Sequence, residues 1–231
     1  MNRQQTIIVA LSGGVDSSTV AALLVERGYN VIGMMMRLWS EPQPAEEQGR
    51  KGARENPLLL PRSPAPLPPR ASAQATGNGN RCCSPESVAD ARAVCAKLGI
   101  PFYLLNFEAE FKTRVVEYFV ASYARGITPN PCLECNRALK FGVLLEKVRA
   151  FGADYLATGH YARVRERAGK FDLLRGVDAN KDQSYALCLL KQEQLARVLF
   201  PLGDFTKDQT REIARQFDLR VAEKHESQDL C

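Results

Sequence analysis

The chain has 231 residues, 45% hydrophobic and 25% charged, with a net charge of +5 and a mean hydropathy of −0.25. That length suits one sizeable α/β domain with appendages, and apolar stretches such as Val31 to Met36 fall far short of the ~20 residues that span a bilayer, so we read a soluble, cytoplasmic protein with no membrane partner. Seven cysteines, an odd number, argue against a disulfide scaffold and for thiol or metal chemistry in a reducing compartment, while the charge permits nucleic acid without indicating it.

Taken in chain order, Thr6-Ile7-Ile8-Val9-Ala10 predicts a buried strand, and Val20, Ala21, Leu23 and Leu24 predict the helix that follows. Between them lies Leu11-Ser12-Gly13-Gly14-Val15-Asp16-Ser17-Ser18. Glycines 13 and 14 let the backbone pass close to a ligand, while Ser12, Ser17, Ser18 and the first-turn N–H groups point donors at an anion. No lysine follows the glycines, so the spacing is neither G-x-x-x-x-G-K-[ST] nor G-x-G-x-x-G. The stretch resembles the PP-loop, S-G-G-x-D-S, of the ATP pyrophosphatases, which cut ATP between the α and β phosphates and transfer AMP to a carbonyl oxygen. In that resemblance Asp16 helps hold the magnesium ion of the leaving pyrophosphate, and removing its side chain costs no core volume.

Gly28 reads as a helix C′ residue and Asn30 to Met36 as a second buried strand. Met36, at its carboxyl end, is placed to flank an adenine, whereas Met34 and Met35 serve equally as core fillers. Residues 41–80 then change character. They hold most of the chain's 13 prolines and no periodicity, so a low-complexity insertion forming a mobile loop is expected. Ser84-Pro85-Glu86 predicts an N-cap, N1 proline and first-turn acid for a helix that Gly99 ends.

Pro101 to Asn106 supplies a third strand, and Glu108 to Ala124 a long helix with Phe111, Val115, Tyr118 and Phe119 inward. Thr128-Pro129-Asn130-Pro131-Cys132-Leu133-Glu134-Cys135-Asn136 reads as a rigid loop carrying a C-x-x-C pair. Such a pair serves redox, zinc or iron–sulfur chemistry, and no second C-x-x-C completes a zinc tetrahedron. Cys95 and Cys188 fall in apolar periodic stretches and read as buried structural thiols. Tyr155 to Thr158 is a further strand ending at Gly159-His160, and Tyr161 to Arg167 with Phe171 to Arg175 forms a hairpin. The last helices run from about Lys191 to Leu199 and, capped by Thr206, from Lys207 to Phe217. The alternation predicts a doubly wound, Rossmann-like parallel sheet at 1–176 with a small helical extension at 177–231.

Ser12 to Ser18, Thr128-Pro129-Asn130-Pro131, Cys135-Asn136, Lys140-Phe141, Ala157-Thr158-Gly159-His160-Tyr161, Lys181-Asp182-Gln183-Ser184-Tyr185, Phe200-Pro201-Leu202-Gly203 and Ser227-Gln228-Asp229-Leu230-Cys231 together resemble one family, the tRNA-uridine 2-sulfurtransferases. The resemblance implies the adenine-nucleotide α-hydrolase fold and ATP-dependent thiolation of the wobble uridine, in which AMP activates the 2-oxo group before sulfur attacks. It implies that Ala10, Leu11, Ser12, Gly13, Gly14, Val15, Asp16, Ser17, Met36 and Gly159 bind ATP with Mg2+. It places Asn130, Pro131, Cys132, His160, Lys181, Asp182 and Gln183 against the tRNA, whose anticodon bases can be splayed out. Two sulfur routes follow. In one, Cys135 takes sulfur from a donor protein as a persulfide and Cys231 releases it by disulfide formation; in the other, Cys132, Cys135 and Cys231 hold a 4Fe-4S cluster.

Three departures stand out: the 41–80 insertion, Glu226 in place of an aspartate, and the family's two C-terminal β-rich domains, which are missing. The rival readings are an amide-forming PP-loop ligase, which has no use for the three thiols, and a non-catalytic sulfur carrier or tRNA-binding module, against which the intact PP-loop argues.

Overall fold

A computed structural model describes residues 4–39 and 84–224, so the 41–80 insertion and the Ser227 to Cys231 stretch lie outside the described residues. The first strand, β1 (Thr6–Leu11), leads through the glycine turn into α1 (Val15–Glu26) and β2 (Asn30–Arg37). After α2 (Pro85–Leu98) and β3 (Phe102–Asn106) a helical run follows, α3 (Glu108–Phe111), a π-turn at 112–116 and α4 (Glu117–Ala124). A second run comprises α5 (Pro131–Cys135), a π-helical stretch at 136–144 and α6 (Leu145–Ala150), which feeds β4 (Tyr155–Ala157). The hairpin β5 (Ala162–Arg167) and β6 (Lys170–Arg175), the short α7 (Gln192–Leu195), β7 (Val198–Leu199) and α8 (Lys207–Gln216) complete the order.

β1, β2, β3, β4 and β7 form one parallel sheet in the order β3-β2-β1-β4-β7, as the doubly wound expectation required. Strand alternation sends Ile7, Val9 and Leu11 toward α1 and α2, and Ile8 toward the helices of 108–150, so both faces are covered by apolar layers. Met35 joins the first layer and Met34 and Met36 the second. The strands are added outward in one direction from β1 to β3 and in the other from β4 to β7, so the crevice at the carboxyl ends of β1 and β4 is the switch point where ligands of such sheets bind.

Helix ends follow the predicted chemistry. Ser84 caps α2 by accepting from Ser87 N, Gly99 closes it at φ 68°, and Thr206 and Gln209 make a reciprocal capping box at the start of α8. Four expectations need correction. Residues 191–199 are not one helix: α7 stops at Leu195, and Val198–Leu199 pairs with β4, Thr158 N donating to Leu199 O at 3.1 Å. The Cys132 segment is not a loop, because Asn130 caps a helix with Pro131 at N1. Tyr118 is exposed rather than inward, since the wide π-turn at 112–116 moves the buried stripe from Phe111 and Val115 on to Ser122. Cys188 is exposed as well, because the 3-10 turn at 184–187 spends its inward positions on Ala186 and Leu187.

Candidate active site

The glycine turn after β1 is built by close backbone approach. Gly13 has φ 72°, and a Cβ there would sit 2.3 Å from the Ser87 carbonyl oxygen, so only glycine fits. Across the crevice a Cβ at Gly159 would stand 2.9 Å from Ser17 N and 3.0 Å from the Asp16 Cβ, which places the start of α1 directly on the end of β4. Ser17 Oγ accepts from Ser12 N at 3.1 Å and lies 3.2 Å from Ser12 Oγ, while Ser18 Oγ donates to Gly14 O at 2.8 Å. Gly14 is the N-cap of α1 and supplies no side-chain acceptor, so the first-turn N–H groups face the crevice uncapped by a side chain.

Asp16 lies at the centre of this arrangement. Its Oδ1 accepts from Lys207 Nζ at 2.8 Å and from the Tyr161 hydroxyl at 2.9 Å, and its Oδ2 accepts from Lys207 Nζ at 2.9 Å. The Lys207 side chain is 9% exposed and that of Asp16 31%. The Tyr161 hydroxyl also lies 3.0 Å from Thr210 Oγ1, and the ammonium stands 5.8 Å from the Tyr161 ring centroid. A second lysine, Lys224, donates to Gly13 O at 3.2 Å and to Asp90 Oδ2 at 2.7 Å, and Arg220 Nε pairs with Asp90 Oδ1 at 3.0 Å. Thus the cation absent from the motif itself arrives from the far end of the chain. Lys207 carried one signal that sequence reading overlooked: it is a cation at N1 of a helix, where the dipole opposes it unless an acid compensates.

His160 follows β4 and keeps Nδ1 2.7 Å from the Thr158 hydroxyl, with Phe141 and Phe200 at 5.9 and 6.0 Å between ring centroids. Burial, with Lys140 adding to it, pushes its pKa well below the ordinary value, so the ring is neutral at pH 7. Phe141 belongs to the helical run that starts at Pro131, and this run begins at the sheet's carboxyl edge because it ends at the start of β4. Asn130 Oδ1 accepts from Cys132 N and Leu133 N at 2.9 and 3.3 Å. Cys132 is half-buried and Cys135, one turn on, is buried. Next to it the buried Asn136 donates from Nδ2 to Ala186 O at 3.0 Å, tying the cysteine helix to the 184–187 turn. Cys95 is different: burial alone pushes its thiol up to about 12, which suits the inert role expected for it.

The Lys181-Asp182-Gln183 segment sits beside this edge. Gln183 Oε1 accepts from Tyr161 N at 3.1 Å and Gln183 N donates to Tyr161 O at 2.9 Å. Asp182 accepts from Gly176 N, Ser184 N and the Ser184 hydroxyl at 3.1, 3.2 and 2.9 Å. Burial alone would raise its pKa, but these donors and Arg175 outweigh it and hold the carboxyl below the usual range. Its oxygens therefore fasten the turn. Met36 is buried at the end of β2. Cys231, the third thiol, lies outside the described residues, and among the described residues no three His, Cys, Asp or Glu side chains are grouped to hold a metal ion. Nor is any described helix long and apolar enough to cross a membrane.

Comparison with known proteins gives a consistent picture. A profile described as tRNA methyl transferase HUP domain matches residues 5–57 and 68–231. The chain is 46% identical over 228 residues to the tRNA-specific 2-thiouridylase MnmA of Clostridium perfringens, covering 99% of this chain and 55% of that relative. It is 48% identical over 229 residues to the protein of that name from Geobacter metallireducens, covering 99% and 55%, and 50% identical over 228 residues to that of Moorella thermoacetica, covering 97% and 55%. The chain spans about half the length of the curated relatives it matches. Among solved structures, the U34-tRNA thiolase NcsA from Methanococcus maripaludis, with its [4Fe-4S] cluster, has a TM-score of 0.54 at 18% identity, over 99% of this chain and 62% of that one. A 4-thiouridine synthetase–RNA complex with bound ATP has a TM-score of 0.54 at 15% identity, over 96% and 43%. At those identities the likeness shows the fold alone, an α/β, Rossmann-like parallel sheet.

Proposed function

This chain belongs to the tRNA methyl transferase HUP domain family, and on that premise we propose that it carries the ATP-binding and sulfur-transfer half of an enzyme that thiolates carbon 2 of the wobble uridine in tRNA. The observation that carries the reading is the glycine turn of residues 12–17, abutted by Gly159 and joined by Lys207 paired with Asp16, on the same sheet edge as the Cys132–Cys135 helix turn. The relatives named as 2-thiouridylases support sulfur over methyl transfer, as does the thiol pair.

The cradle fits ATP on its own evidence of shape and charge. A Cβ at Gly159 would press on Ser17 N and Asp16, and one at Gly13 would strike the Ser87 carbonyl that the turn packs against, while donors with a nearby ammonium suit an anion. The first-turn N–H groups and Lys207 bind the β and γ phosphates and stabilise pyrophosphate as the uridine 2-oxo group displaces it from the α phosphate. Asp16, whose oxygens Lys207 now shares, would hold Mg2+, which supplies further charge neutralisation on the departing pyrophosphate. Met36 flanks the adenine. Neutral His160, fixed by Thr158, orients phosphate or base without adding charge, and Asn130, Pro131, Cys132, Lys181 and Gln183 line the approach of the flipped uridine.

Sulfur then replaces oxygen at carbon 2. The terminal sulfur of a Cys135 persulfide, received from a donor protein, attacks carbon 2 and expels AMP; the Cys231 thiolate attacks Cys135 Sγ, leaving a Cys135–Cys231 disulfide and the thiocarbonyl, and a thiol reductant resets the pair. A second reading is favoured by Cys132, one helical turn from Cys135: with Cys231 these thiols would hold a 4Fe-4S cluster, which supplies an iron site for sulfide.

The test is to incubate the chain with ATP, anticodon stem-loop RNA and a sulfur source, and to follow pyrophosphate release and thiolation by retardation on organomercury gels. Release that requires a uridine at the wobble position is expected. Release indifferent to RNA, or driven by ammonia, would transfer the chain to the amide-forming ligases, and no release would make it a carrier or binding module.

A further inference from the structure

The β5–β6 hairpin springs from the site, since β5 begins two residues after His160, and its pairing fixes which side chains share a face. Arg163, Arg165 and Arg167 stand opposite Leu174, Asp172 and Lys170, while Val164, Phe171 and Leu173 on the other face pack against the core. A one-residue slip would bury the arginines, so the register is strongly set. The turn reinforces it, because Ala168 and Gly169 both have positive φ, 50° and 74°, the two-residue form that matches strand twist. Along its two strands the outward face thus presents four cations against the carboxylate of Asp172, and Asp204 stands beside Arg163 at the base of the hairpin.

That carboxylate does not neutralise the face. Asp172 is 3.5 Å from Arg165 and 3.7 Å from Arg167, long separations for a fork, and the side chains of Arg165 and Arg167 are 58% and 75% exposed. Arg163 is better anchored, with Nε donating to Arg175 O at 2.9 Å and Nη1 3.6 Å from Asp204 Oδ1. Residues two apart on a strand repeat about every 6.6 Å, so Arg163, Arg165 and Arg167 form a row along β5, with Lys170 beside Arg167 on β6 at the turn end. Guanidinium forks suit phosphate oxygens, and a row of them suits a chain of phosphates.

We infer that this face is a docking strip for the phosphate backbone of RNA flanking the target base, an assignment that rests on the tRNA reading above. It positions the RNA and reads no sequence, since phosphate contacts carry register and affinity without base information. The row leaves the sheet at His160, and so directs the strand toward the crevice where uridine must meet ATP.

The test measures anticodon stem-loop binding as a function of salt for the full chain and for the triple variant R165Q/R167Q/K170Q. Arg163 is spared because its Nε ties the strands together. The variant should lose about two to three from the slope of log K against log salt, uniformly across RNA sequences, with tRNA-independent ATP binding unchanged. The lysine variant R165K/R167K should retain the slope, which separates charge from strand folding. Wild-type binding with an unaltered slope in the triple variant overturns this inference alone, and so does a variant that loses only capture of an acidic sulfur-donor protein. A wild-type chain that binds no RNA overturns both this inference and the tRNA reading.

Discussion

Asp16 and Lys207 make unequal demands on the fold, and their substitution separates charge pairing from ligand binding. Read from sequence alone, loss of the Asp16 side chain would leave the fold intact. The ion pair reverses that expectation. Asp16→Asn leaves an ammonium whose side chain is only 9% exposed without its counter-charge, and breaking such a pair from one side costs about 3–5 kcal/mol. Lys207→Met leaves a carboxylate that is 31% exposed and still bonded to Tyr161; water can reach it, so the cost falls to ~1–3 kcal/mol. The double variant leaves an uncharged, shape-matched pair and should recover most of the difference, a coupling of ~1–3 kcal/mol. In a chain of this size 3 kcal/mol corresponds to roughly 6–12 °C in Tm. Urea and thermal unfolding followed by circular dichroism, without ATP, would measure all three. Equal costs for the single variants with strict additivity in the double would refute the pairing argument. All three variants should release no pyrophosphate, because each removes Asp16 or the Lys207 ammonium from the cradle.

The thiols separate the two sulfur routes. With a cluster, serine at 132, 135 or 231 should each abolish bound iron and thiolation; with a persulfide, Cys132→Ser keeps activity while the other two lose it, and an active Cys135→Ser enzyme defeats both. His160 makes stability pH-dependent with a definite sign. Its folded pKa is depressed by burial and then by Lys140, so below about pH 6.5 the unfolded chain takes up a proton that the folded chain refuses. Stability is complete above that value and falls by up to ~1.4 kcal/mol per pH unit below it. The His160→Phe variant should lack this component, and parallel pH curves for the two proteins would contradict it. Ala168, at φ 50°, carries left-handed strain that Asn tolerates better, so Ala168→Asn should raise stability by ~0.5–1 kcal/mol; a lower Tm would show that the turn has another conformation.

The sequence displayed what depends on local pattern. Ser84 with Pro85, Gly99 and Thr206 announced their helix ends through capping chemistry, and the apolar runs at 6–10 and 30–36 announced central strands because a parallel sheet is buried on both faces. Where context overrides pattern, reading failed. Val198–Leu199 is too short to advertise a strand and becomes one only because β4 offers it an unpaired edge. Tyr118 turned outward through one π-turn, which no periodicity count at 3.6 anticipates. Of the site, the cradle and the cysteine pair were legible as contiguous motifs. Lys207, Lys224, Asp90 and Arg220 were not, since their meeting with residues 13–16 or with one another is decided by tertiary packing across more than a hundred residues.

The pairing of Asp16 with a lysine 191 positions later also has a temporal meaning. During synthesis at ~5–20 residues per second, about 10–40 s separate the appearance of the glycine turn from that of its cation. Through that interval the nascent chain can pair β1 with β2 and β2 with β3, yet the glycine turn lacks the ammonium that balances Asp16, and β4 lacks the β7 edge beside it. The glycine turn therefore gains the counter-charge of Asp16 only after α8 has emerged and docked, so completion of this pair waits on the synthesis of residues 207–216.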